Sequence, residues 1–293
     1  NGELIWVREP DAGKRLRAVA EGTAHIAASV DPAAHAPSVV TVHRYRAPVA
    51  IIYLLNAAHG ALRDPRVRKA LTLAVDREAV VRDVLDDNGD PLHGFVGPAH
   101  FGAGVGNSIC HDPEAARQLL AEAGHAAGLE LEVDCPTRLP DEAQRLTEVL
   151  ACQLASIGVT LKVHIYEERE DYAHMVRRKE IRDLCVFDSS PMSTFRVLYE
   201  KIDSRVAGAW WQGYRNERVE ALIDRGRKTV DETEREALYR EAYHLLQQDP
   251  PWLTLYNPTR AIALAGDHPG FSIPVDGVPD MRGLPKFEGA RNG

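Results

Sequence analysis

Asp188, Ser189 and Ser190 stand together before Pro191, after the strand-like run Leu184 to Phe187. A carboxylate with two hydroxyls at a strand end can satisfy the charged or polar end of a small ligand. Asp, Ser and Pro in this order also make a turn in which the aspartate caps its own backbone. Both readings are open for Asp188. Trp210, Trp211 and Tyr214 form the one dense aromatic cluster in a chain that is 6% aromatic. Aromatic side chains offer a cleft apolar area with a polar tip, or pack beneath a loop, and both roles are open here. Asn257, just past the strand-like Trp252 to Tyr256, reads as a cleft group or a turn residue. Trp252 itself reads as structural. Phe101 lies in a glycine-rich stretch, Asn88 to Ile109, long enough to be a functional loop or a solvent-exposed connector.

Covalent chemistry has no such foothold. The chain lacks a Gly-x-Ser-x-Gly elbow, a His-Glu-x-x-His pair and a phosphate loop ending in Gly-Lys-Ser/Thr. Gly102, Gly104 and Gly106 follow no convincing strand and lack the dinucleotide spacing. The twelve histidines are scattered, and Cys110, Cys135, Cys152 and Cys185 form no Cys-x-x-Cys. No cofactor or metal is expected, and the cysteines read as paired or as buried thiols. With 35 basic against 43 acidic residues, a net charge of −8 argues against a nucleic-acid surface. No run approaches the roughly 20 apolar residues of a membrane span.

The elements that must position these groups follow from periodicity. Asp11 to Ala24 reads as a short helix, with strands at His25 to Ala28 and Val39 to His43. Pro48 to Asn56 has the content of a buried strand. Asp64-Pro65 and Asp112-Pro113 are N-cap and N1 signals. Behind the first, Val67, Ala70, Leu71, Ala74 and Val75 share one helix face, leaving Arg66, Arg68, Lys69 and Arg77 to solvent. Asp76 to Asp86 continues as helix. Leu129 to Cys135, Asp141 to Ile157 and Val159 to Tyr166 read as strand, helix and strand. Val159, Leu161, Val163 and Ile165 fall on one face. Helices follow near Asp171 to Lys179, at Asn216 to Arg225 and at Asp231 to Gln248, the last opened by Asp231 or Thr233. This alternation predicts an α/β fold.

Five segments, in order, resemble the extracytoplasmic solute-binding proteins of ABC importers, in the class that binds oligopeptides, dipeptides, nickel chelates and opines (family 5). They are Leu55-Asn56 with Asp64-Pro-Arg-Val-Arg-Lys-Ala-Leu-Thr-Leu-Ala-Val-Asp-Arg77, Asp112-Pro-Glu-Ala-Ala-Arg-Gln-Leu-Leu-Ala-Glu-Ala-Gly124, Gln153-Leu-Ala-Ser-Ile-Gly158, Trp211-Gln-Gly-Tyr214 with Val219-Glu-Ala-Leu-Ile223, and Asp249-Pro-Pro-Trp-Leu-Thr-Leu-Tyr256. The resemblance covers Val42 to Ala265.

It implies the second lobe of a bilobal periplasmic-binding-protein fold (type II, cluster C-like) with a partial first lobe. Residues 1–45 would end the first lobe, 46–265 would form the second, and 266–293 would return to the first. The orphan strands near the start lead to the expectation of further sequence upstream, and of a half-formed cleft with poor affinity in this chain alone. The implied function is capture of a small peptide-like or opine-like solute by hinge closure, with delivery to an ABC permease, by a periplasmic, monomeric, non-enzymatic protein. At the Asp188 turn the class often places an aspartate that pairs with a ligand's amino group. Nickel is the one metal that the resemblance keeps open. A ligand-sensing domain of a transcriptional regulator and a hydrolase on the same fold are the alternatives.

Overall fold

The computed structural model describes residues 5–98, 100–103, 109–138, 140–189, 196–274 and 277–284. Ser190, Gly104 and Gly106 lie outside the described residues. In chain order the elements open with α1 (Ala12–Ala20), β1 (Ile26–Val30), β2 (Val40–Arg46) and β3 (Ala50–Leu55), followed by α2 (Pro65–Ala74) and α3 (Arg77–Leu85). The short β4 (Gly89–Pro91) and α4 (Pro113–Glu122) lead to β5 (Leu129–Pro136), α5 (Ala143–Ala155), β6 (Val159–Tyr166) and α6 (Arg169–Arg177). After β7 (Leu184–Ser189) comes a π-helical segment, Arg196–Ile202, then α7 (Glu217–Lys228), α8 (Glu232–Gln248) and the long β8 (Trp252–Ala265).

Two compact units divide this chain. The smaller comprises Asn1–Pro48, Asn88–Asp90 and Pro258–Gly293, and the larger Val49–Asp87 and Pro91–Asn257. The unit boundaries fall at 48/49 and 257/258, with residues 88–90 in the smaller unit, against sequence-derived ones at 45/46 and 265/266. In the smaller unit β1 and β2 both run antiparallel to the second half of β8. Ala261 and Ala263 pack with Val19, Ala27 and Val30 on one side, while Ile262 and Leu264 pack with Phe271 on the other, as the two-residue period of a strand requires.

The larger unit is built on the strand order β8-β3-β7-β5-β6. β3 runs antiparallel to β7 and β8, while β5 is parallel to β6 and β7. Every residue of β3 is buried. One face of this sheet, through Ile51, Tyr53, Leu55, Val133 and Val186, packs on α2 to α5. The other, through Ile52, Leu54, Cys185, Phe187 and Trp252, packs on α6 to α8. The unit is therefore a three-layer α/β/α arrangement in which each large apolar side chain contributes about 1.5 to 3 kcal/mol by burial.

The caps form as expected. Asp64 accepts from the Arg66 N–H and Asp112 from the Ala115 N–H; such caps contribute about 1 kcal/mol each. Of the two candidates for opening α8, Asp231 is the cap, accepting from the Glu234 N–H. The apolar face of β6 is continuous as expected, but Val163 and Ile165 are exposed, because β6 is the edge strand. β8 extends well beyond Tyr256, so Asn257 is a strand residue, not a turn residue. None of the four cysteines forms a disulfide: Cys135 and Cys185 are buried, Cys110 and Cys152 exposed.

The largest departure concerns the cations of α2 and α3. Arg68 and Arg77, expected in solvent, are only 4% and 1% exposed. The Arg77 guanidinium donates to the carbonyls of Thr254, Thr72 and Val75. Arg68 donates to the carbonyls of Pro250, Leu62 and Arg63 and pairs with Asp249. Helix periodicity locates the apolar stripe, but a guanidinium is buried when carbonyls converge on it. Here the converging carbonyls include some nearly 180 residues away along the chain. Burial pulls the Arg77 pKa down to about 10, still charged at neutral pH.

Arg77→Ala should cost about 3 kcal/mol or more, since three buried carbonyls lose their donor. Arg66→Ala, on the exposed side of the preceding helix α2, should leave the urea midpoint unchanged. Equilibrium unfolding of both variants checks this pair.

Candidate functional site

Three adjacent strands bring the polar candidates to one end of the larger unit's sheet. β7 ends at Ser189, which lies opposite Ala50 at the start of β3, with Asp188 opposite Ile51. On the other side of β3, Ile51 lies opposite Tyr256 of β8. The next residue, Asn257, is buried and donates from Nδ2 to the Val49 carbonyl at 2.7 Å. Asp188 and Ser189 thus flank the beginning of β3 from one side and Asn257 from the other. This is also the carboxyl end of the parallel strands β5 and β7, the end at which α/β sheets hold ligands.

The Gly97–His100 turn reaches this end through Gly97. A Cβ there would stand 3.2 Å from Asn257 Oδ1, so the missing side chain lets the loop approach the asparagine closely. Phe101 follows. Half-buried, it packs edge-on against Tyr239 of α8 at 6.2 Å, under the Arg235 guanidinium. Phe101 is therefore pinned to helix α8.

Sequence reasoning missed Lys201. It lies in the π-helical segment, only 7% exposed, and its Nζ donates to Ser189 Oγ at 3.1 Å. Ser189 is 3% exposed. Burial pulls the lysine pKa down to about 8, with the nearby Asp188 charge working against the fall. No periodic pattern marks a lysine in a π-helical turn. Its position eleven residues after Ser190 gives no signal of its own.

The aromatic candidates separate. Trp210 packs its ring 4.4 Å from Phe187, the residue before Asp188. Phe187 stacks on Tyr172, and Tyr172 meets Tyr166 edge-on, so Trp210 ends an aromatic row behind β7. Trp211 and Tyr214 belong to the opposite end of β3. There the Ala57 N–H donates to the Gln212 carbonyl, and a Cβ on Gly213 would meet Ala58 at 2.5 Å. Six residues of strand put the two ends about 20 Å apart. Trp211 donates from Nε1 to the Tyr214 carbonyl at 2.6 Å. Tyr214 is buried beneath the Arg68 guanidinium. Desolvation, with the Asp249 charge behind it, pushes its phenol pKa well up.

A recess of about 520 Å³ lies elsewhere, lined among others by Tyr166, His174, Arg178 and Arg182. Its cations are already engaged. Arg178 pairs with Glu180 at 2.8 Å, and Arg182 with Asp134 and Glu132. Among the described residues no cluster of His, Cys, Asp and Glu could hold a metal ion, and no helix is long and apolar enough to cross a membrane.

Comparison with known proteins bears on this geometry. The family model of the bacterial extracellular solute-binding proteins, family 5 (middle region), matches residues 3–191. A di/tripeptide-binding protein 2 of Pseudomonas aeruginosa is 27% identical over 220 residues, covering 70% of this chain and 39% of that protein. HbpA2 of Haemophilus parasuis superposes with a TM-score of 0.80 at 21% identity, over 97% of this chain and 58% of that one. The ABC transporter-associated periplasmic binding protein DppA of Helicobacter pylori, solved with the peptide STSA, gives a TM-score of 0.75 at 19% identity, over 90% and 52%. These structural likenesses establish the fold, and the α/β class expected from the sequence is the one found. The chain spans about half the length of the proteins it matches.

The buried lysine makes a prediction. Its folded pKa of about 8 lies below the ordinary 10.5, so the unfolded chain binds more protons between those values and stability rises with pH there. Below pH 8 the charged lysine carries its full desolvation cost. The melting-temperature difference, Lys201→Met minus wild type, should therefore be greatest below pH 8 and shrink towards pH 10.5. Thermal melts across that range test it.

Proposed function

The chain belongs to the family 5 bacterial extracellular solute-binding proteins, and from that premise we propose that it is the solute-holding part of the binding component of an ABC importer. The single observation that carries the reading is the placement of the polar residues Asp188, Ser189 and Asn257 on the strands beside the start of β3, at the carboxyl end of the parallel strands. A solute site needs a few convergent polar groups and an apolar wall that excludes water. Trp210, half-buried against Phe187, supplies apolar surface. In this reading the larger unit is the second lobe, and the smaller unit belongs to the first.

Peptide-like solutes are favoured, because one similar protein is named for di- and tripeptides and another was solved with a bound peptide. The protein works outside the cytoplasm as a monomer, does no covalent chemistry, and passes its solute to a membrane permease. Solute stabilises one conformation by contacts made only in that conformation, and the permease recognises it. Within this site Asp188 and Trp210 are the contacting candidates, while the buried Ser189 and Asn257 hold the strand end beneath them. Trp211 and Tyr214 hold the far end of β3 and Phe101 anchors its loop.

Calorimetry against a panel of di- and tripeptides, with tryptophan emission as a second readout, tests the proposal. Binding should change the emission, and Trp210→Phe should abolish most of that change while Trp211→Phe preserves it. The reverse pattern would move the site to the other end of β3, and no binding across the panel would defeat the peptide reading.

A further inference from the structure

The strand end carries a second carboxylate, that of Glu142. Ile51 of β3 lies between Asp188 of β7 and Tyr256 of β8. Residues paired across strands point to the same side, so these three share the face of the sheet that packs on α2 to α5. Tyr256 is fully buried, and its hydroxyl donates to Glu142 Oε1 at 2.7 Å. Glu142 is half-buried and stands immediately before α5, the helix that follows the carboxyl end of β5. Its side chain does not cap that helix. Among the described residues the Tyr256 hydroxyl is the one hydrogen-bond partner of its carboxylate. Arg145, one turn on, pairs with Asp86 at 3.7 Å. A carboxylate accepts up to about four hydrogen bonds, so Glu142 is fixed by one donor and keeps acceptor capacity for others.

We propose that Glu142 determines the specificity of the strand-end site by receiving a cationic side chain of the solute, so that the site favours peptides carrying lysine or arginine. The inference rests on the reading of this end as the solute site. Asp188 and Tyr256 stand on opposite sides of β3, two inter-strand spacings or about 10 Å apart at the backbone. The phenol ring places Glu142 further out again. One ammonium, which needs its acceptors within about 3 Å, cannot serve both carboxylates. A long basic side chain can reach Glu142 while the solute's main chain lies over the strand ends beside Asp188. There it makes a charge-assisted hydrogen bond, whereas an apolar side chain of the same length leaves the carboxylate to water. Tyr256 is the positioning residue: its hydroxyl, immobilised in the core, fixes the direction of the carboxylate before solute arrives.

Calorimetry with Lys-Ala and with norleucyl-alanine, which has the same side-chain carbons without the ammonium, tests the inference. The wild type should favour Lys-Ala by about tenfold or more, the difference that a charge-assisted hydrogen bond makes. In Glu142→Gln, whose amide oxygen still accepts from Tyr256, and in the shorter Glu142→Asn, the two peptides should bind within about threefold of each other. A wild type that binds both peptides alike would overturn the inference without any variant being made. Equal weakening of both peptides in the variants, with the preference for Lys-Ala intact, would make Glu142 a structural tether only and would overturn it too. Either result leaves the solute site standing. If neither peptide binds any form, the solute-site reading has failed and this inference falls with it.

Discussion

The larger unit depends on one strand that is buried on both faces and paired on both edges. β3 meets β7 along six residues and β8 along part of its length, and none of its own residues reaches solvent. A slip of one position would turn every side chain to the opposite layer, sending Tyr53 away from the helix α5 hydroxyl of Thr147 that it meets at 2.8 Å. The register is consequently fixed. Because it is fixed, the last residues of β7 and residue 257 of β8 have to lie beside the first residues of β3, and the polar end of the sheet follows from the packing of its middle.

The two ends of β3 are built on different principles. At the far end Gly213 lies against Ala58, Gln212 donates to the Val176 carbonyl, and Tyr214 lies beneath an arginine. That end is held by close backbone packing and internal hydrogen bonds. The end at Ser189 is instead formed from charged and polar groups, Asp188, Ser189, Asn257 and Lys201, held by neighbours that are themselves rigidly packed. Buried cations appear in both regions for different reasons. Arg68 and Arg77 collect backbone carbonyls and tie α2 and α3 to the chain around the start of β8, whereas Lys201 donates to the Ser189 hydroxyl.

Local signals carried much of this architecture. The cap and proline pairs at Asp64 and Asp112, the buried run of β3 and the alternation in β5 and β6 act over a few residues, so they can be read from the chain alone. The Asp188 and Ser189 pair was legible for the same reason. What escaped depends on partners far away in sequence. Arg68 and Arg77 look like surface residues until Pro250 and Thr254 are brought to them. Asn257 looks like the end of a strand until the strand is seen to change partners, from β3 to β1 and β2, and to continue to Ala265. Trp210 and Trp211 turn their rings to different partners, Phe187 and the Tyr214 carbonyl, which adjacency in sequence conceals.

The central claim is that solute is held at the Ser189 end of β3. Hydrogen exchange resolved to individual amides, with and without the tightest-binding peptide of the panel, tests it most directly. Exchange should slow at Phe187 to Ser189, at Ala50 and Ile51, and at Tyr256 and Asn257, with no change at Ala57, Ala58 or Trp211 to Tyr214. Slowing confined to that second group would contradict the account.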